Sequence, residues 1–457
     1  MPFARTEPLR RELAVALPER PFALRFWDGT ELPATSPDGP VFTVRSPTAV
    51  AHLLRAPGQL GLGRAYAAGE LEADDLDRVI GLLDSFKAPA IDRTTRLRLA
   101  LAAARACGLT RPPRIPASEL RPRGARHSRE RDARAVRHHY DVSNDFFKLF
   151  LDSSMTYSCA VFSRGATTLE EAQLAKRELV CTKLGLQEGE RLLDVGCGWG
   201  SFVLHAAARH GVSAVGITLS PNQAELARRR VVKAGLEDRV EIRLCDYRDL
   251  GATEAGRHSP SARIPVSTEA GRHSPSARIP VSTEAGRHSP SARIPVSTSE
   301  RFDAIASIGM VEHVGASKID EYAARLAGLL EPGGRLLNHG IARLRHSDPE
   351  AGAFSERYVF PDAAPLHVSR VMLALERAGI EPTHVEGFRQ DYVDTLSEWI
   401  ERLDANREEA ERLAGGERVR VWRLYLRAAR NGFATGFTSI FQILGARPPG
   451  ARPPGAA

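Results

Sequence analysis

Chemistry is most readily read from the stretch Asp194-Val195-Gly196-Cys197-Gly198-Trp199-Gly200, where a carboxylate is followed by glycine at every second position. The apolar pair Leu192-Leu193 before it reads as a buried strand, and Ser201 to Arg209 after it as a helix. A strand, a tight turn and a helix start bring bare backbone up to a ligand that a Cβ would exclude. The dinucleotide pattern, G-x-G-x-x-G with an acid about 20 residues on, is not met here. A carboxylate directly before the glycines suits a ligand with a cationic amino-acid end, such as S-adenosylmethionine.

The elements that must position this turn follow in order. Thr168 with Glu171 three residues on forms a capping box for a helix running to Leu184, which delivers the chain to the central strand. Ser213 to Ile217 is a second strand, ending in Thr218-Leu219-Ser220, and Pro221 opens the next helix at its first position. Val240 to Leu244 ends at Asp246, Phe302 to Ile308 ends in Gly309-Met310-Val311-Glu312-His313, and Arg335 to Asn338 ends at His339. Strands alternating with helices predict an α/β, doubly wound parallel sheet whose ligands sit at one edge. The aromatic-rich His138 to Ala160 reads as a lid over that edge.

The 457 residues allow two to three domains, and 42% hydrophobic content suffices for a sizeable core. Cys107, Cys159, Cys181, Cys197 and Cys245 show neither CxxC nor Cys/His ligand spacing, so no disulfide framework and no metal site are expected. No run approaches the ~18 apolar residues that cross a bilayer. The first residues lack the apolar core of a signal peptide. A net charge of +7 points to an anionic partner.

Residues 1–110 read as a small α+β domain. Phe22 to Trp27 and Pro40 to Arg45 are its strands, Ala49 to Leu54 and Leu76 to Phe86 its helices, with Gly61 to Gly69 as an irregular link. A further helix, Arg96 to Ala106, stops at Gly108. Residues 111–137 read as a basic linker, 138–445 as the catalytic domain and 446–457 as a frayed tail. Within the catalytic domain, 253–297 carries TEAGRHSPSARIPVS three times over. Two prolines per copy and almost nothing to bury predict a disordered insertion.

Beyond these patterns, the chain resembles the cyclopropane-fatty-acyl-phospholipid synthase family, with its mycolic-acid and fatty-acid methyltransferase relatives. The motifs are HYDVSNDFFKLFLDSSMTYSCAVF (139–162), LLDVGCGWGSF (192–202), GITLSPNQ (216–223), SIGMVEHVG (307–315), RYVFPD (357–362) and DYVDTLSEW (391–399). The first 90 residues resemble the N-terminal extension of the phospholipid-acting members, hence a lipid-engaging domain.

The resemblance implies S-adenosylmethionine as methyl donor and the cis double bond of an unsaturated phospholipid acyl chain as acceptor, giving a cyclopropane. Its alternative product is a methylene or methyl-branched chain, and the N-terminal part is similar to members of that kind. The implied donor site is Tyr157, Ser158, Gly196, Gly198, Thr218, Leu219 and Gln223, with Asp246, Tyr247 and Ile308 around the adenine; Asp194 joins it from the strand-turn reading. The acid usual after the second strand is absent, so Thr218 and Gln223 are left to take the ribose. A bicarbonate ion is implied at Cys159, Glu312, His339 and Tyr392, helped by the backbone of Ile341, with Tyr140, Phe360 and Tyr392 offering aromatic faces to a passing carbocation. The expected setting is the cytoplasm, peripheral to the inner face of the membrane, with room for a homodimer. Arg418 to Leu444, basic and apolar at once, is a candidate membrane-surface stretch. A nucleic-acid methyltransferase would share the basic charge, but the Asn/Asp-Pro-Pro-Tyr motif that grips an amino group is missing, so nucleic acid is not an expected partner.

Overall fold

The computed structural model describes residues 5–108, 112–121, 124–140, 142–250, 300–347 and 352–450. The triple repeat therefore lies outside the described residues. Strands are numbered β1 (Ala23–Phe26), β2 (Glu31–Leu32), β3 (Val41–Val44), β4 (Leu71–Ala73), β5 (Arg191–Val195), β6 (Ser213–Thr218), β7 (Val240–Leu244), β8 (Phe302–Ile308), β9 (Leu330–Arg343), β10 (Glu381–Gly387) and β11 (Thr438–Ala446).

The apolar runs of the catalytic part assemble a seven-stranded sheet in the order β10-β11-β9-β8-β5-β6-β7. β7, β6, β5, β8 and β9 are parallel as expected, because helices cross between them. β11 is not. It enters antiparallel between β9 and β10, so the sheet is mixed rather than purely parallel. β9 is also longer than Arg335 to Asn338, and His339 sits inside the strand instead of at its end. The capping box on Leu169–Leu184 is formed, with Thr168 accepting from the Glu171 amide.

The N-terminal unit is a four-stranded sheet, β2-β1-β3-β4, covered by helices that include Glu7–Ala16, Pro47–Arg55 and Arg93–Cys107. The glycine-rich stretch expected as an irregular link holds a helix, Gln59–Ala67. Its glycines serve close packing: a Cβ on Gly63 would stand 2.2 Å from the Phe354 ring, and one on Gly61 2.2 Å from the Ala56 carbonyl.

Much of the expected basic linker is docked. Arg129–Tyr140 is a helix, Arg126 and Arg131 both pair with the buried Asp362, and Arg129 pairs with Asp249. Glu119 is fully buried against Arg64 at 2.6 Å. The expected tail begins late, since β11 runs through Ala446 and the buried Arg447 donates to the Leu330 carbonyl at 2.6 Å. Residues 451–457 lie outside the described residues.

The stretch read as a lid is largely core. Phe146, Phe147 and Phe150 are wholly buried among Trp199, Trp399 and Trp422. The candidate membrane stretch resolves into the helix Gly416–Ala434 followed by β11. Val419, Trp422, Leu426 and Phe433 are buried, while Arg427 and Arg430 pair with Asp77 of the N-terminal unit. Its basic and apolar residues hold the two units together, so this stretch is no free membrane-facing surface. No helix among the described residues is long and apolar enough to cross a membrane.

Candidate active site

Two cavities meet at the carboxyl edge of β5, β6 and β8. Tyr157, Ser158, Asp194, Gly196, Gly198, Thr218, Leu219, Gln223, Asp246, Tyr247 and Ile308 all line the first, so the fold brings every residue of the expected donor site together. Gly196 and Gly198 take φ of 85° and 54°, left-handed conformations that suit glycine and let the chain turn directly off β5. Thr218 Oγ1 donates to Gln223 Oε1 at 2.8 Å, linking the end of β6 to the helix Pro221–Ala234. The Asp246 carboxylate is already engaged by Arg248 through bonds of 2.8 and 2.6 Å.

Asp194 is 2% exposed, and its Oδ1 is buried without a hydrogen-bond partner. Burial pushes its carboxyl up to about 7, against the opposing pull of Lys176. Lys176 is equally buried and lines the same cavity, with Nζ donating to Ser158 Oγ at 2.9 Å. Burial brings its amine down to about 8. An unsatisfied carboxylate oxygen beside a buried ammonium fits a zwitterionic amino-acid end. Lys176 escaped the sequence reading, although Gln173, Lys176 and Arg177 do place a polar stripe on a helix face shared with Ala172 and Val180.

The second cavity is lined mainly by apolar side chains. It runs from Leu9, Phe26 and Val50 in the N-terminal unit, past Phe354 and Ala429, to Glu312, His339, Ile341 and Tyr392. Tyr140 and Phe360 line it too, so the three candidate aromatic faces share one chamber. Tyr140, Tyr157, Ser158, Gly309 and His313 border both cavities, which makes this the junction between them.

At the junction Glu312, 6% exposed, stands on the turn after β8. Its Oε1 accepts from the Ile341 amide at 2.7 Å, and its Oε2 has no partner. Burial raises its carboxyl to about 7. His339 is fully buried with Nε2 unpartnered, and burial with the charges of Lys176 and Lys183 holds its ring well below the ordinary histidine range. Burial likewise pushes the Tyr392 phenol up. Buried polar atoms without partners are few in folded proteins, and two of them border this chamber.

Two members of the expected anion cage are placed otherwise. The Cys159 thiol does not line the chamber; it donates to the carbonyl of Ala160 at 3.1 Å, and burial keeps it protonated. The Ile341 amide is spent on Glu312 and is not offered to a ligand. Glu312, His339 and Tyr392 remain as side chains, enough for a small ligand that both donates and accepts. Among the described residues one Cys/His group comes together that sequence spacing did not announce. Cys181, His205 and His210 place their ligand atoms within 4.8 Å, outside both cavities, with each histidine also paired to Glu178.

Comparison with known proteins agrees with this architecture. The family model described as mycolic acid cyclopropane synthetase matches residues 127–257 and 296–443. A probable fatty acid methyltransferase of Mycobacterium tuberculosis is 34% identical over 95% of this chain and 93% of its own length. The cyclopropane-fatty-acyl-phospholipid synthase of Escherichia coli is 30% identical over 85% of this chain and 84% of its own. The mycolic acid cyclopropane synthase CmaA1, solved in complex with SAH and CTAB, superposes with a TM-score of 0.56 at 29% identity, covering 69% of this chain and 98% of that one. The chain thus belongs to the cyclopropane synthase family of S-adenosylmethionine-dependent methyltransferases, and it is an enzyme of the fatty-acid methyltransferase kind.

Proposed function

We propose that this enzyme methylates the cis double bond of an unsaturated fatty acyl chain, in a phospholipid or a related lipid, and that its product is a methylene-branched chain rather than a cyclopropane. The observation that carries the substrate class is the apolar passage from the N-terminal unit to Glu312 and His339, joined to the donor cavity at Tyr157, Ser158 and Gly309. An acyl chain lying there would present its double bond where the two cavities meet. A relative that matches 95% of this chain is named a probable fatty acid methyltransferase rather than a cyclopropane synthase, which favours the branched product over ring closure.

S-adenosylmethionine would supply an electrophilic methyl, with Asp194 holding its ammonium, Lys176 its carboxylate, and Thr218 and Gln223 its ribose. The alkene carbon takes that methyl as the sulfur–carbon bond breaks, leaving a carbocation beside Tyr140, Phe360 and Tyr392, whose ring faces stabilise positive charge. A hydride then shifts to the cationic carbon, and a proton leaves the added methyl to give the exo-methylene. Ring closure would lose the same proton without the hydride shift. The proton needs an acceptor in a dry chamber. Bicarbonate fits the unpartnered atoms of Glu312 and His339 with Tyr392, and it would supply that base.

Access from a lipid surface is supported at the N-terminal unit. Leu54 and Leu62 line the passage yet are 39% and 44% exposed, and the adjacent helix Arg93–Cys107 exposes Leu97 and Leu101 among arginines. Proton NMR of the product after incubation with S-adenosylmethionine and a cis-monounsaturated phospholipid tests the proposal. Vinylidene protons are expected; high-field ring protons would refute the branched assignment, and no methylated lipid at all would refute the substrate class. Glu312→Gln is expected to lose turnover by about 100-fold or more with little change in donor affinity.

A further inference from the structure

His339 on β9 stands directly opposite Gln442 on β11. Gln442 Nε2 lies 3.4 Å from His339 Nδ1, and both residues are fully buried. On its other side Gln442 Oε1 accepts from Lys183 Nζ at 2.7 Å, and the same amine donates to Glu386 Oε2 at 2.6 Å. The far edge of the imidazole, Nε2, is the unpartnered atom, and the residue lines the chamber.

Hydrogen-bond bookkeeping fixes the proton in this row. An ammonium only donates, so the amide end beside Lys183 is oxygen, and the amide NH2 is left for the histidine. An NH2 group cannot accept, which leaves Nδ1 as the lone-pair nitrogen. A neutral imidazole carries one N–H, so it lies on Nε2. The reverse amide orientation would set an NH2 against the lysine's own N–H groups. Burial lowers the Lys183 amine, and the Glu386 carboxylate that accepts its hydrogen bond at 2.6 Å opposes that shift.

We propose that Gln442, oriented by Lys183, is a positioning residue that fixes His339 as a neutral Nε2–H donor facing the reaction chamber. The inference rests on the chamber being the reaction site and divides the labour within it. His339 holds an oxyanion and is barred from taking the proton, because its only lone pair faces Gln442. Glu312 Oε2, the other unpartnered atom, is left to accept a hydrogen bond from the hydroxyl of that anion, which would itself be the base. Gln442 lies 103 residues along the chain from His339, and only the register of β11 on β9 brings the two together.

Imidazole 15N NMR of the full chain, labelled at its 14 histidines, tests the assignment, with the His339 signals identified by their loss in His339→Asn. The wild type is expected to carry the proton on Nε2. Gln442→Glu offers Nδ1 a carboxylate acceptor and is expected to move a proton onto Nδ1; Lys183→Met frees the amide to turn and is expected to abolish the preference. A wild-type ring protonated at Nδ1, or a preference unchanged in both variants, overturns the proposal. In parallel, Gln442→Glu is expected to lower turnover on unsaturated phospholipid by about 100-fold, the scale of losing one oxyanion donor, with S-adenosylmethionine affinity by calorimetry unchanged. A reversed ring with wild-type turnover would leave the control of the ring standing and overturn the chamber as the reaction site.

Discussion

Replacing Glu312 by Gln should change stability in a way that depends on pH, and the size follows from the site. The folded chain holds this carboxyl at about 7, raised from 4.5 by burial. An unfolded chain ionises it near 4.5, so between these values the folded state binds more protons than the unfolded one. Stability from this group therefore falls as pH rises from about 4.5 to 7 and stays low above 7. The full loss corresponds to about 3 kcal/mol for the ligand-free protein. Gln keeps an oxygen for the Ile341 amide and carries no charge, so the variant escapes the loss. Against wild type it should gain nothing near pH 4.5 and about 3 kcal/mol at pH 8, or a melting shift of about 5 °C for a domain of roughly 300 residues. Asp194 titrates in the same range in both proteins and cancels in the difference. Thermal melts of both proteins at several pH values between 5 and 8 give the answer. Parallel stability curves would mean that Glu312 is ionised at no cost, and the desolvated-carboxyl argument would fall.

Other perturbations give separate tests. Gly196→Val places a β-branched residue at φ 85°, so calorimetry should show S-adenosylmethionine binding weakened at least about tenfold while circular dichroism stays native; normal binding would show the turn is not the donor site. Ala429→Trp fills the passage between the N-terminal unit and the chamber, and turnover on long-chain phospholipid should drop about tenfold or more with donor affinity intact; unchanged turnover would exclude this route for the acyl chain. Deleting 253–297 should leave melting temperature and turnover within error of wild type, and a loss of activity would assign that segment a role.

Sequence patterns reached the central strands and the donor pocket because both are local. Asp194 and its glycines lie within one strand-turn-helix, and the residues at the ends of β6, β7 and β8 follow from strand alternation alone. What depended on pairing across distance was not legible. Gly61 and Gly63 look like loop residues until the Ala56 carbonyl and Phe354 are seen against them. The arginines of Gly416–Ala434 look like a membrane face until Asp77 arrives from the other end of the chain. Lys176 was a charge on a helix until the fold buried it, and Cys159 matched its motif while its thiol turned away from the chamber.

The two ends of the repeat-bearing segment are each fastened to the body of the catalytic part. Leu250 is 1% exposed in the core, while Glu300 is held by Arg191 and Arg243 at 2.8 and 2.7 Å. Adding or removing whole copies of the fifteen-residue unit would keep the reading frame and leave both fastenings untouched, so the length of this segment can change without breaking either hold on the sheet.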